Sequence, residues 1–149
     1  MSQTTRRMLG LLVLAAVSLT GCAKTTTVAA KKKEPYKSEK ITGSDLSRIT
    51  LEERAAKRIG VKTEPVKELV RFGGETNRRT IPIGALIYDA KGGAWAYTNP
   101  EGLVFVRQAI TVDYAEGDIV VLRDGPSAGT AVVTEGAAQL TGIEFGVGK

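Results

Sequence analysis

The sequence predicts a mainly β protein: a small β-barrel or roll with one short α-helix, preceded by a signal helix and a disordered tether. Three observations predict it. From residue 61 onward, short apolar runs are separated by turns rich in Gly, Pro, Asn and Asp, which is the punctuation of antiparallel strands. One stretch, residues 51–59, has helical spacing together with start and stop signals. With 149 residues, 42% of them hydrophobic and 25% charged, the chain can bury the core of one domain and still carry a tail. The expected organisation is a signal peptide over 1–21, a basic tether over 22–44 and a β domain over 45–149.

Residues 1–21 open with Arg6-Arg7, continue through the apolar run MLGLLVLAAV and end in Ser18-Leu19-Thr20-Gly21 before Cys22. The run is too short to span a bilayer, which takes about 20 residues, and has the form of a secretory signal. Leu19-Thr20-Gly21-Cys22 resembles the lipobox of bacterial lipoproteins. That resemblance implies alkylation of the Cys22 thiol by diacylglycerol, cleavage before it and commonly acylation of the new amine. The alternatives are an ordinary cleaved signal with a chance Cys, and a twin-arginine signal, which Met8-Leu9-Gly10 fits poorly. Residues 23–44 lack apolar periodicity and read as a flexible linker. Between 22 and 40 stand six Lys against two Glu, whereas 41–149 hold 13 basic and 14 acidic side chains. The strip containing Lys31-Lys32-Lys33 is therefore either a solvated spacer or a contact for anionic lipid headgroups.

Thr50-Leu51-Glu52-Glu53 has the form of a capping box. It predicts a helix over 51–59, with Leu51, Ala55, Ala56 and Ile59 on one face and Gly60 ending it in the left-handed conformation. A strand over 61–66 follows, interrupted by Pro65. Residues 80–88 (TIPIGALIY) form an apolar segment broken by Pro82 and Gly84, and Lys91-Gly92-Gly93 is a tight turn. In 94–98, Trp95 and Tyr97 share one face and Ala94 and Ala96 the other. The turn Asn99-Pro100-Glu101-Gly102 leads into a single long strand over 103–112, which should pair with 94–98 as a hairpin. Further strands are expected over 118–122 and 130–134, followed by a Gly- and Ala-rich ending with no assigned structure.

The chain contains no His and one Cys. Without His it lacks the usual general base and the commonest metal ligand. If Cys22 is lipidated, and Met1 and Met8 leave with the signal, no soft-metal ligand and no disulfide remain. Ser47 and Ser127 have no base at motif spacing. Asp113, Glu116 and Asp118 around Gly117 suggest calcium, but lack the alternating ligands and final Glu of a calcium loop and read as a solvated turn. Residues 142–149 (GIEFGVGK) have the wrong spacing for a phosphate loop. A non-enzymatic protein without cofactor or metal is expected, and nucleic-acid binding is disfavoured by the balanced charge of the folded part.

Two segments resemble a known family. Residues 50–66 (TLEERAAKRIGVKTEPV) are similar to the first segment of the membrane-proximal domain of periplasmic adaptor subunits, or membrane fusion proteins, of resistance-nodulation-division efflux pumps. Ile81-Pro82-Ile83-Gly84-Ala85-Leu86, Trp95-Ala96-Tyr97, Val104-Phe105-Val106-Arg107, Gly125 to Gly129 and Val132-Val133-Thr134-Glu135-Gly136-Ala137 resemble its second segment, in the same order. In full adaptors a barrel, a lipoyl-like domain and a helical hairpin lie between the two; here only residues 67–80 do. The resemblance therefore implies a membrane-proximal domain standing alone, without a bridging hairpin, on an inner-membrane transporter or beside other adaptor subunits. Arg107, facing the same side as Phe105, is the leading candidate for a partner contact. Tyr97 is a second, Arg78 and Arg79 are minor ones, and Trp95 and Phe105 are expected to be buried. The expected protein is a lipid-anchored efflux accessory on the extracytoplasmic face of a membrane in the cell envelope. The alternatives are a tethered solute-binding module, which requires a pocket of roughly 300 Å³, and a structural surface lipoprotein.

Overall fold

A computed structural model describes residues 34–69 and 78–147. The expectations for the signal, for Cys22 and for the Lys31-Lys32-Lys33 run lie outside the described residues. The described part is mainly β, with eleven strands and two short α-helices. The strands are β1 (Tyr36–Lys40), β2 (Ser47–Leu51), β3 (Lys62–Pro65), β4 (Lys67–Leu69), β5 (Arg78–Pro82), β6 (Ile87–Tyr88), β7 (Ala94–Glu101), β8 (Val104–Ala109), β9 (Thr111–Glu116), β10 (Ile119–Asp124) and β11 (Ala131–Glu135). The helices are α1 (Glu53–Ile59) and α2 (Ala137–Glu144), and Ile83–Ala85 form a 3₁₀ turn.

Two antiparallel sheets result. The larger has the order β1-β2-β8-β7-β11-β3, with β6 also on β7; the smaller is β4-β5-β10-β9. Both have free ends, so the expected barrel does not close. Among the described residues the chain changes sheet four times, and at two of these changes a single buried apolar residue makes the crossing. Val66 separates β3 from β4, and Ile110 divides the expected single strand over 103–112 into β8 and β9. Ile110 donates its amide to the Ala94 carbonyl at 3.0 Å and then turns into the second sheet.

The core has two parts, one on each face of the larger sheet. Ala96 and Val132 join Ile81, Ile110, Val120 and Leu122 between the sheets. Their strand neighbours Tyr97 and Val133 point the other way, against Ile49, Phe105, Ala137 and Leu140 under the helices. Because successive side chains alternate faces, a central strand covered on both sides reads as continuously apolar.

Three local expectations change. Thr50 does not cap α1: Leu51 donates to the Leu103 carbonyl and Glu52 to the Pro35 carbonyl, holding the backbone extended, and the helix begins at Glu53 with no side-chain cap. Its end is as expected, with Gly60 at φ 72°. Residues 36–40, expected within the flexible tether, form β1 and pair with all of β2, from Tyr36 with Leu51 to Lys40 with Ser47. The Gly- and Ala-rich ending forms α2, a second helix, whose Ala137 and Leu140 are buried.

Candidate functional site

Neighbouring strands β7 and β8 place Tyr97 opposite Arg107 and Trp95 opposite Ala109. All four side chains of interest, Trp95, Tyr97, Phe105 and Arg107, stand on the helix-covered face. Arg107 is only 7% exposed. Its guanidinium lies 4.1 Å from the Trp95 ring centre and 5.1 Å from that of Phe145, the residue after α2. Aromatic faces on a desolvated guanidinium attract it through the ring quadrupole.

Helix α2 adds the counter-charge. Glu144, its side chain 1% exposed, brings Oε2 to 3.3 Å from Arg107 Nε and accepts the Tyr97 hydroxyl at 2.5 Å. Burial, and then the bond to Glu144, push the Tyr97 phenol well above its ordinary range. The arrangement leaves donors and acceptors unused: Arg107 Nε and Glu144 Oε1 are buried without hydrogen bonds. Among the described residues the Arg107 side chain makes an ion pair and two ring contacts but no hydrogen bond.

The β6–β7 loop shapes the opposite wall. Asp89 Oδ1 accepts the amides of Lys91 and Gly93, both at 2.8 Å, and Oδ2 accepts Trp95 Nε1 at 2.9 Å. An Asp two residues before the turn amide is the side-chain mimic of a backbone turn. These bonds, the indole first, hold the Asp89 carboxyl below its ordinary range, and the Arg107 charge adds to the effect. A Cβ at Gly93 would stand 2.8 Å from Asp89 Oδ2 and 3.0 Å from the indole nitrogen, so a larger residue would displace those side-chain ends. The β1–β2 loop closes the site with Asp45 and Leu46. It is fixed by an Ile41 amide to Leu46 carbonyl bond of 3.0 Å and by Lys40 Nζ donating to the Asp45 carbonyl at 3.1 Å. The cleft, open to solvent, measures about 310 Å³ and is lined by both loops, Trp95, Arg107 and Phe145.

The residues singled out from sequence thus separate. Arg107 and Tyr97, expected as partner contacts, are turned inward and covered by α2. Arg78 and Arg79 lie in β5, away from that cluster. Arg78 pairs with Asp113 at 3.4 Å; Arg79 pairs with Asp124 at 3.2 Å and donates to the Pro126 and Gly125 carbonyls. They tie strands of the smaller sheet together. Asp113 of the acidic cluster is taken by Arg78 and Arg123, and among the described residues no group of three acidic or Cys side chains could hold a metal ion. Phe105 is buried as expected, and Trp95 is half-buried. Asp89 and Glu144 were not singled out from sequence. Asp89 was legible in principle as the acceptor of the Lys91-Gly92-Gly93 turn; Glu144 gives no local signal.

The site thus combines a buried guanidinium, its Nε against Glu144 without a hydrogen bond, with apolar and charged side chains around one cleft. No protein-family model, curated protein or solved structure matches the chain.

Proposed function

We propose that the protein is a lipid-anchored, non-enzymatic accessory of a membrane efflux transporter, moored through Cys22 on the extracytoplasmic side of the envelope. One observation carries the reading. The two segments that resemble the adaptor membrane-proximal domain share a sheet: β2 pairs with β8 through Thr50 and Val104, and β3 pairs with β11 through Glu64 and Val132. Only residues 67–80 separate the segments, and β4 and β5 pair antiparallel at the two ends of that stretch. A self-closing domain of this kind fits a docking role that needs no hairpin. Among the described residues no helix is long and apolar enough to cross a membrane, and the reading assigns membrane attachment to the lipid. Purification of the tagged protein in mild detergent tests it. A transporter subunit should be enriched as it is by a tagged full-length adaptor; enrichment with the adaptor alone contradicts the partner assignment.

A second reading is favoured by the cavity at Arg107. Its volume of about 310 Å³ falls within the range of small-molecule sites, which supports a tethered module that presents a solute to a permease. A panel of small solutes scored by thermal shift separates the two readings.

A further inference from the structure

The cavity between the two loops and α2 has a definite chemical character. Its floor is one planar cation, with faces occupied by Trp95 and Phe145 and no hydrogen bond from its donors among the described residues. A guanidinium used this way presents its edge, and the group that matches two parallel N–H donors is a planar carboxylate. Glu144 does not fill that role. It meets Arg107 at Nε without an aligned hydrogen bond, and the same oxygen accepts the Tyr97 hydroxyl.

Charge then narrows the ligand. Asp45, Asp89 and Glu144 stand in or behind the site against Lys91, Arg107 and Lys40, whose ammonium lies on the Asp45 carbonyl, so the region is balanced and a bare anion would leave it net negative. A solute with one carboxylate and one ammonium leaves the balance unchanged, its ammonium facing the acidic rim. Leu46, Ala90, Trp95 and Phe145 provide an apolar wall for the remainder.

We propose that this cavity binds a small zwitterion of the α-amino-acid type with an apolar side chain, its carboxylate on the edge of Arg107. The proposal rests on the solute-binding reading above. The chain has a single Trp, and Trp95 lines the cavity, so intrinsic fluorescence reports occupancy directly. In a titration of the purified full chain in mild detergent, L-leucine should shift Trp95 emission saturably, with half-saturation at or below about 1 mM. Isocaproate lacks the ammonium and leucinamide lacks the carboxylate; each should bind at least about tenfold more weakly. Arg107→Lys should weaken leucine by about tenfold or more, since an ammonium cannot make the paired contact. Phe145→Ala removes an exposed rim residue rather than a core one and should also weaken it, which covers the case in which Arg107→Lys fails to fold. If none of the three compounds moves the emission up to about 10 mM, the solute-binding reading and the zwitterion assignment both fall. If isocaproate binds as tightly as leucine and Phe145→Ala weakens both, the cavity is a solute site and the zwitterion assignment is overturned. Leucine binding unchanged in both variants also overturns it.

Discussion

A guanidinium 7% exposed, with a carboxylate 1% exposed beside it, is held at a cost in desolvation that mutual attraction only partly offsets. Removing one partner should therefore be worse than removing both. Glu144→Leu is expected to destabilise by about 3–5 kcal/mol, because Arg107 is left as a buried unpaired charge. Arg107→Met combined with Glu144→Leu should cost less than Glu144→Leu alone, measured by urea denaturation in a double-mutant cycle. Tyr97→Phe keeps the ring and loses the hydroxyl, leaving Glu144 Oε2 without its hydrogen bond, at about 1–3 kcal/mol. At Asp89 the ionised form is the one the fold favours, so its folded pKa lies below the ordinary 3.8. Its stabilisation is present above the unfolded value and is lost as pH falls through the lower folded one. An NMR titration should place the Asp89 midpoint below 3.8, with the Trp95 indole N–H shift following the same curve. A midpoint at or above the ordinary value contradicts the Asp89–Trp95 bond. Sidedness was legible at this scale: strict alternation puts Trp95, Tyr97, Phe105 and Arg107 on one face. What covers that face was not, so Arg107 read as an exposed contact when it is a buried one.

The covering element is α2, and its sequence hides it. Gly136 supplies no side-chain cap, Gly142 lies inside the helix, and small residues dilute any amphipathic stripe. Leu140 and Ala137 dock it nonetheless, on the Tyr97 and Val133 side of the sheet, and full burial of a Leu side chain contributes about 1.5–3 kcal/mol. Tertiary contact, rather than local propensity, makes this segment helical. Strand β1 was missed for a related reason. Its exposed Lys37, Glu39 and Lys40 carry the composition of a linker, and charge on an outer strand is how a sheet edge is protected from further pairing. The long run over 103–112 was correctly apolar, but the change of sheet at Ile110 depends on contacts with Leu122 and Val120 that are remote in sequence. Gly84 was legible as a break, and the fold gives the reason: a Cβ there would stand 2.6 Å from the Thr134 carbonyl oxygen of β11. Since the opposing atom is backbone, Gly84→Ala should destabilise by about 1–3 kcal/mol, read as a lower denaturation midpoint with an unchanged slope.

At the scale of the molecule, two open sheets and two helices replace the expected barrel. Closure is prevented where β3 and β1 remain at the ends of the larger sheet. The mainly β class followed from turn spacing, which is local information; the number of layers depends on which strands are covered twice, which is not. For the proposed anchor, Cys22→Ser should move the protein from the membrane fraction to the soluble one, and retention through a salt wash would contradict lipid attachment. The account depends most on the two flanking segments forming one cooperative sheet without an intervening excursion. Native-state hydrogen exchange tests this through the amides of Leu51 in β2, which bonds the Leu103 carbonyl, Phe105 in β8 and Val133 in β11. All three should exchange together in the slowest class, through global unfolding. Fast exchange at Leu51 with Phe105 and Val133 still protected would show that the first segment is not part of the same cooperative unit, contradicting the account.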